Sequence, residues 1–267
     1  MSVSGSSANS NDDEPIDLAG GTVNRPVRVG DTVRRTLGPW SAAVHHLLEH
    51  LEAVDFPFAP RFLGFDDQGR EVLSYLPGTA VMRPWPPNFR SLEGPRAVAR
   101  VIRLYHEAVA DYVPAEGTRW FNGRTELVPG EIVIHGDLGP WNVLIDDDGT
   151  VTGIIDWDFA QPGHAISDVA YLAYYLTMLR GDDVAGSSGF TTPPDRRARL
   201  AALASEYGID PLSLATEGYR LELERYWRIR VLGPQRQEPW AGFLDRGVDA
   251  EIESDLRWLA EHLGDVI

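Results

Sequence analysis

Ile132-Val133-Ile134-His135-Gly136-Asp137-Leu138-Gly139-Pro140-Trp141-Asn142-Val143-Leu144-Ile145 is the stretch that decides how this chain is read. The β-branched runs at its two ends have strand character. Between them lies a loop that carries an Asp and an Asn five positions apart. Asp146-Asp147-Asp148-Gly149 then supplies a turn, and Val151 to Ile155 forms a third strand ending in Asp156-Trp157-Asp158. The pattern predicts that paired strands bring the 137–142 loop and Asp156 to one end of a small sheet. Three oxygen-bearing side chains converge there.

Asp and Asn favour turns on local hydrogen-bonding grounds, so any one of the three alone signifies little. Their joint spacing between strands points to chemistry. Phosphoryl transfer is catalysed mostly by positioning and charge stabilisation. One carboxylate must orient the attacking hydroxyl and accept its proton, and hard oxygen ligands must hold the Mg²⁺ that neutralises the phosphates. Asp137 fits the first role; Asn142 and Asp156 fit the second. The Asp-Leu-x-x-x-Asn spacing equals that of the protein-kinase catalytic loop. No Asp-Phe-Gly segment follows Asp156, however, which argues against a protein kinase. Asp158 reads either as a helper of the site or as a capping residue, and Asp168 as a structural anchor.

Working outward, Val27 to Val29 and Thr32 to Val33 flank Gly30-Asp31, a hairpin turn signal. Ser41 opens a helix with apolar positions Val44, Leu47, Leu48, Leu51 and Val54. Strands are expected at Arg61 to Phe65 and Glu71 to Leu76. The proline- and glycine-rich run from Pro77 to Pro87 can continue neither strand nor helix and marks a lobe boundary. Helices follow from about Pro95 to Tyr112 and near 166–180, 195–207, 211–231 and 241–264, while 181–194 reads as a flexible loop. The expected organisation is a disordered tail over 1–15, a small antiparallel lobe with one helix over 16–76, and a larger, mainly helical lobe over 77–267. This is an α+β, bilobal fold of the protein-kinase kind.

HGDLGPWN at 135–142 followed by IIDWD at 154–158 resembles the aminoglycoside phosphotransferase family, whose relatives include choline, homoserine and fructosamine kinases. The family motifs read approximately HGDxxxxN and IDW. Gly139 departs from the family, in which many members carry a second histidine there. The resemblance implies an ATP- or GTP-dependent transfer to a small-molecule hydroxyl, with Asp137 as base, Asn142 and Asp156 binding Mg²⁺, and His135 bracing the loop. It also implies a phosphate-covering loop at Ala19 to Asn24, with Gly20, Gly21 and Asn24 as contacts, and a nucleotide hinge at Ser74, Tyr75 and Leu76. Thr32-Val33-Arg34-Arg35 stands where kinases place a phosphate-gripping lysine. This chain has no lysine, so Arg34 is the candidate. The first two turns of the following helix hold no glutamate to pair with it; Glu49 and Glu52 come later, on a solvated face. That gap keeps open an alternative, a catalytically silent kinase-like binding protein.

His46 and His50 share a helix face, with His45 beside them, but the metalloprotease pattern is absent and a core-edge pair is the plainer reading. Tyr219, Tyr226 and Trp227 read as core or as an aromatic wall for substrate. The 267 residues are 43% hydrophobic and contain no apolar run of about 18 residues, which predicts a cytoplasmic protein without a membrane span. Cysteine is absent, which excludes disulfides and thiolate metal centres. The formal charge of −16 argues against nucleic-acid partners and suits a cationic acceptor.

Overall fold

The computed structural model describes residues 15–18 and 26–267. The tail expected over 1–15 lies almost wholly outside them, and so do Gly20, Gly21 and Asn24. Among the described residues, the chain begins with β1 (Ile16–Asp17), β2 (Val27–Val29) and β3 (Thr32–Arg35), then α1 (Ser41–Ala53), β4 (Phe62–Phe65) and β5 (Glu71–Ser74). The five strands form an antiparallel sheet in the order β1-β2-β3-β5-β4. The hairpin turns at Gly30, whose φ of 57° is left-handed and therefore open to glycine. Register then sets Val29 against Thr32 and Arg35 against Glu71. Alternation along β3 sends Arg34 and Arg35 to opposite faces, and that one-residue difference governs the site.

The helix α1 buries Ala43, Val44, Leu47, Leu48 and Leu51 along one stripe. Truncating one such leucine to alanine costs about 2–5 kcal/mol. His46 and His50, on its side, bond to the Tyr112 hydroxyl at 2.7 Å and the Ala108 carbonyl at 2.9 Å. They fasten the small lobe to the next helix layer.

The boundary segment holds more structure than its prolines and glycines suggest. Thr79–Ala80 forms β6, and Pro87–Arg90 a one-turn helix, α2, that starts with a proline where its missing N–H is harmless. The larger lobe continues with α3 (Glu93–Ala108), β7 (Ile132–Ile134), β8 (Val143–Ile145), β9 (Val151–Ile154), β10 (Gln161–Gly163) and α4 (Ala165–Leu176). It ends with α5 (Asp182–Ser187), α6 (Arg196–Tyr207), α7 (Pro211–Leu232), α8 (Trp240–Asp245) and α9 (Val248–Val266). Strand β8 pairs with β9 and with β6, whereas β7 pairs with β10 as a separate ribbon. The expected loop at 181–194 is therefore partly helical. Its acidic first turn suits a helix N-terminus, Ala185 is buried, and Asp182 is bonded to Arg196 Nη2 at 2.6 Å.

Helix α4 is buried nearly all round, with Val169, Leu172, Ala173 and Leu176 inside, and packs on α7. Tyr105 of α3 donates to the Val133 carbonyl at 2.7 Å, which ties that helix to β7. One apolar core runs from α1 through α3 and α4 to α9. Tyr219 and Tyr226 of α7 pack against apolar clusters, whereas Trp227 is 58% exposed. Among the described residues no helix is long and apolar enough to cross a membrane.

Candidate active site

Asp137 stands just beyond β7, on a loop whose backbone is fixed from behind. Gly136 has φ 80°, and a Cβ there would lie 2.2 Å from the Phe159 carbonyl oxygen, so only glycine fits. The His135 and Gly136 N–H groups donate to the two oxygens of Asp168 at 2.7 and 2.9 Å. Burial alone raises the Asp168 carboxyl, but the His106 hydrogen bond and charge, with His135 and the Gly136 N–H, hold it below the usual carboxylate range. His135 is fully buried, and burial holds its pKa low despite nearby carboxylates. Its Nδ1 accepts from the Asp137 N–H at 3.3 Å, which leaves Nε2 to donate to the Ile155 carbonyl at 3.1 Å.

The Asp137 carboxylate accepts on both oxygens: from the Tyr171 hydroxyl at 3.0 Å, from Asn142 Nδ2 at 3.0 Å and from Trp141 Nε1 at 3.4 Å. Burial raises its pKa, and this outweighs the opposing charges of Arg225 and His135 and the donated hydrogen bonds. The result is a carboxylate more basic than an ordinary aspartate and locked in one orientation.

Asn142 also donates to the Asp137 carbonyl at 2.8 Å. Its amide nitrogen is thereby committed to Asp137, leaving the amide oxygen as the group to offer a cation. The Ile155 N–H donates to the Asn142 carbonyl at 3.0 Å, and β8 and β9 bring Asp156 alongside. Asp156 adopts a left-handed conformation, φ 66° and ψ 64°, uncommon for a residue with a Cβ and frequent at functional turns. Its pKa is pushed up to about 6, first by burial and then by the charge of Asp158, against the pull of Arg35.

Arg35, on the inward face of β3, reaches the whole acidic cluster. Its Nε lies 2.8 Å from Glu71, its Nη1 3.2 Å from Asp156 and its Nη2 2.7 Å from Asp158. Burial opposes its charge, but Asp158, Glu71 and Asp156 together raise its pKa above that of a free arginine. Glu71 is 1% exposed, and its second oxygen accepts from His45 Nε2 at 2.7 Å. The His45 ring is in turn stacked on Phe62 with centroids 3.8 Å apart. The acidic partner expected on α1 is thus on β5, and α1 contributes a histidine that holds it.

Arg34 does not join this cluster. Strand alternation turns it outward, where it bonds to Thr32 and lies 3.9 Å from Asp66. At the expected hinge, the Ser74 and Tyr75 N–H groups are bonded to the carbonyls of Arg61 and Asp31 at 2.9 and 2.8 Å. Leu76 packs against Gly153, where a Cβ would meet Leu76 Cδ1 at 2.7 Å. Sequence reasoning missed Arg35, Glu71 and His45 as site residues. Counting the β3 pleat back from its hairpin would have singled out Arg35, whereas nothing local marks Glu71.

A metal ion would meet the Asn142 amide oxygen and the Asp156 carboxylate, both hard donors. Among the described residues no group of three or more His, Cys, Asp or Glu forms a protein-only metal cage. Two protein oxygens suit Mg²⁺, which usually takes its remaining ligands from phosphates and water.

Residues 43–202 match the model of a phosphotransferase enzyme family. The chain belongs to that family. The phosphotransferase is also 36% identical over 202 residues to a trifolitoxin immunity protein of Rhizobium leguminosarum bv. trifolii, a match covering 73% of this chain and 75% of the relative. A choline/ethanolamine kinase family protein from Mesorhizobium loti shares its fold with a TM-score of 0.59 at 17% identity, over 95% of this chain and 92% of that one. The GDP and kanamycin complex of APH(2")-IIia superposes with a TM-score of 0.55 at 14% identity, covering 97% and 96% of the two chains. The bilobal, kinase-like architecture of the phosphotransferase is that of these proteins.

Proposed function

We propose that this phosphotransferase moves the γ-phosphoryl group of ATP or GTP onto a hydroxyl of a small molecule. The observation that carries the reading is the Asp137 carboxylate, partly buried, raised in pKa and aimed by Tyr171, Trp141 and Asn142. A base of raised pKa is matched to deprotonating a hydroxyl as it attacks. The acceptor oxygen bonds to the γ-phosphorus while the bond from that phosphorus to the β,γ-bridging oxygen breaks. The acceptor's proton passes to Asp137, and the nucleoside diphosphate leaves.

Asn142 and Asp156 are the proposed ligands of Mg²⁺, which when bound neutralises phosphate charge. Arg35, in place of Arg34, is the cation that faces the cluster and steadies the phosphates. The silent-protein alternative drew on the missing partner for that cation, and Glu71 supplies one. The GDP in the APH(2")-IIia complex supports a nucleotide donor, and the name of the Rhizobium relative supports a protective use, in which a toxic compound is phosphorylated.

The test is nucleotide binding with and without Mg²⁺, followed by nucleotide consumption with pooled hydroxylated compounds. Binding is expected to require Mg²⁺, and that Mg²⁺-dependent binding is expected to be abolished in Asp156→Ala. Asp137→Ala is expected to keep affinity within a few-fold and lower turnover by about 10²–10⁴. Magnesium-indifferent binding, or none, would sink the proposal.

A further inference from the structure

A cavity of about 360 Å³ opens between the segment that joins the lobes and helices α4, α7 and α9. Trp85, Trp141 and Tyr175 give it flat apolar walls, and Arg83, Arg180 and Arg225 line it with positive charge. It adjoins the base through shared side chains. Trp141 donates to Asp137, and Arg225 Nη1 lies 2.6 Å from the Tyr175 hydroxyl and 3.4 Å from that of Tyr171, which itself holds Asp137. A compound filling this space lies against Trp141, which donates to the base, and Arg225, which bonds to the tyrosine that holds it. Its volume is at the small end of ligand sites.

The charges around it are unevenly committed. Arg180 is bonded to Asp255 at 2.5 Å and stands 3.9 Å from Glu251. Arg225 shares the two tyrosine hydroxyls and lies 3.7 Å from Glu222. Arg83 is exposed and has no hydrogen-bond or ion-pair partner among the described residues; partial burial, and then the charge of Arg180, lower its pKa against the pull of Glu251 and Asp255. An exposed, unpaired guanidinium beside a second one is free to take an anion. The lining offers nothing comparable to a cation. Glu251 is the one carboxylate on the wall, its side chain is 66% exposed, and it leans toward Arg180.

Resting on the phosphotransferase reading, we propose that the acceptor is a small hydroxyl compound with a flat apolar body and an oxyanion, carboxylate or phosphate, gripped by Arg83. This reverses what the net charge of −16 suggests, because the acidity of the whole surface does not describe this cavity. An ammonium-rich acceptor would set like charge against Arg83, the arginine of the three that no carboxylate holds, an arrangement that specificity normally excludes.

The experiment uses three probes of one shape, benzoate, benzamide and benzylamine, with binding read from the fluorescence of the tryptophans lining the cavity. Benzoate is expected to bind about tenfold tighter than the other two, the size of one charge-assisted contact. Arg83→Ala and Arg83→Gln are expected to erase that preference, and Arg83→Lys to keep part of it. Benzylamine binding as well as benzoate, no detectable benzoate binding, or a preference that survives both neutral variants would overturn the proposal. Magnesium-dependent nucleotide binding, measured on the same preparations, reports separately on the phosphotransferase reading. Its failure alongside Arg83-dependent benzoate binding would remove the kinase and leave the anion site.

Discussion

Arg35 and Glu71 are direct cross-strand partners on β3 and β5, and the guanidinium Nε lies 2.8 Å from Oε1. Both are buried, and removing Arg35 leaves Glu71 with His45 alone and parts Asp156 and Asp158 from their shared cation. Arg35→Met is expected to cost about 3 kcal/mol in urea denaturation. Combined with Glu71→Gln it should show a coupling energy of about 1 kcal/mol or more. Arg34→Ala, on the outer face, should change stability by no more than about 0.5 kcal/mol. Additive losses from Arg35 and Glu71 would show that the pair is not a unit.

Tyr171 donates to Asp137 Oδ1 at 3.0 Å without belonging to the 137–142 loop. Tyr171→Phe keeps the ring and removes the donor. Loss of one hydrogen bond to a charged group, worth about 1.5–3 kcal/mol, predicts a fall in kcat of about 10–100-fold. The KM for nucleotide should stay within about twofold. A change confined to KM would assign Tyr171 to binding.

Asp168 collects the His135 N–H, the Gly136 N–H and His106 Nε2, at 2.7, 2.9 and 3.3 Å. Asp168→Asn can satisfy only part of that set. We expect a stability loss of about 2–3 kcal/mol and a larger fall in turnover than in nucleotide affinity, because the loop carrying Asp137 loses its anchor. Unfolding curves and isothermal titration check the two effects. An undiminished turnover would show that the loop is held without it.

Glu131 leads into β7, and its carboxyl is pulled down to about 2, first by hydrogen bonds from Arg124, against burial, and then by the Val128 N–H. Its folded pKa lies below its ordinary value of 4.5, so the stability it lends is complete above about 4.5 and is lost as the pH falls through about 2. Arg124→Ala is expected to return the titration midpoint toward 4.5, as read by carbon NMR of the carboxyl. A midpoint that stays near 2 would shift the cause to the backbone donor.

Much of this arrangement was legible in the sequence because it is local. The strands around 137–142, the turn at Gly30 and the apolar stripe of α1 follow from side-chain periodicity and turn chemistry, and the structure has them where periodicity puts them. Arg35, Glu71 and His45 were not legible as a unit. Their meeting depends on β3–β5 register and on the angle at which α1 crosses the sheet, and neither is encoded in any one segment. The 181–194 stretch shows the reverse failure. Its composition is that of a loop, yet Arg196 and a buried alanine draw part of it into a helix. Arg83, in a segment set aside as a boundary, gains meaning only from the cavity wall opposite it.

Placing the acid on β5 has a consequence for control. In protein kinases the corresponding glutamate rides on a helix, and displacing that helix breaks the pair and turns the enzyme off. Here both partners belong to neighbouring, hydrogen-bonded strands, so no tilt of α1 can part them; it can only withdraw His45. If Arg35 grips the phosphates as proposed, its ion pair is fixed by the sheet, and such an enzyme lacks the helix lever by which protein kinases are switched.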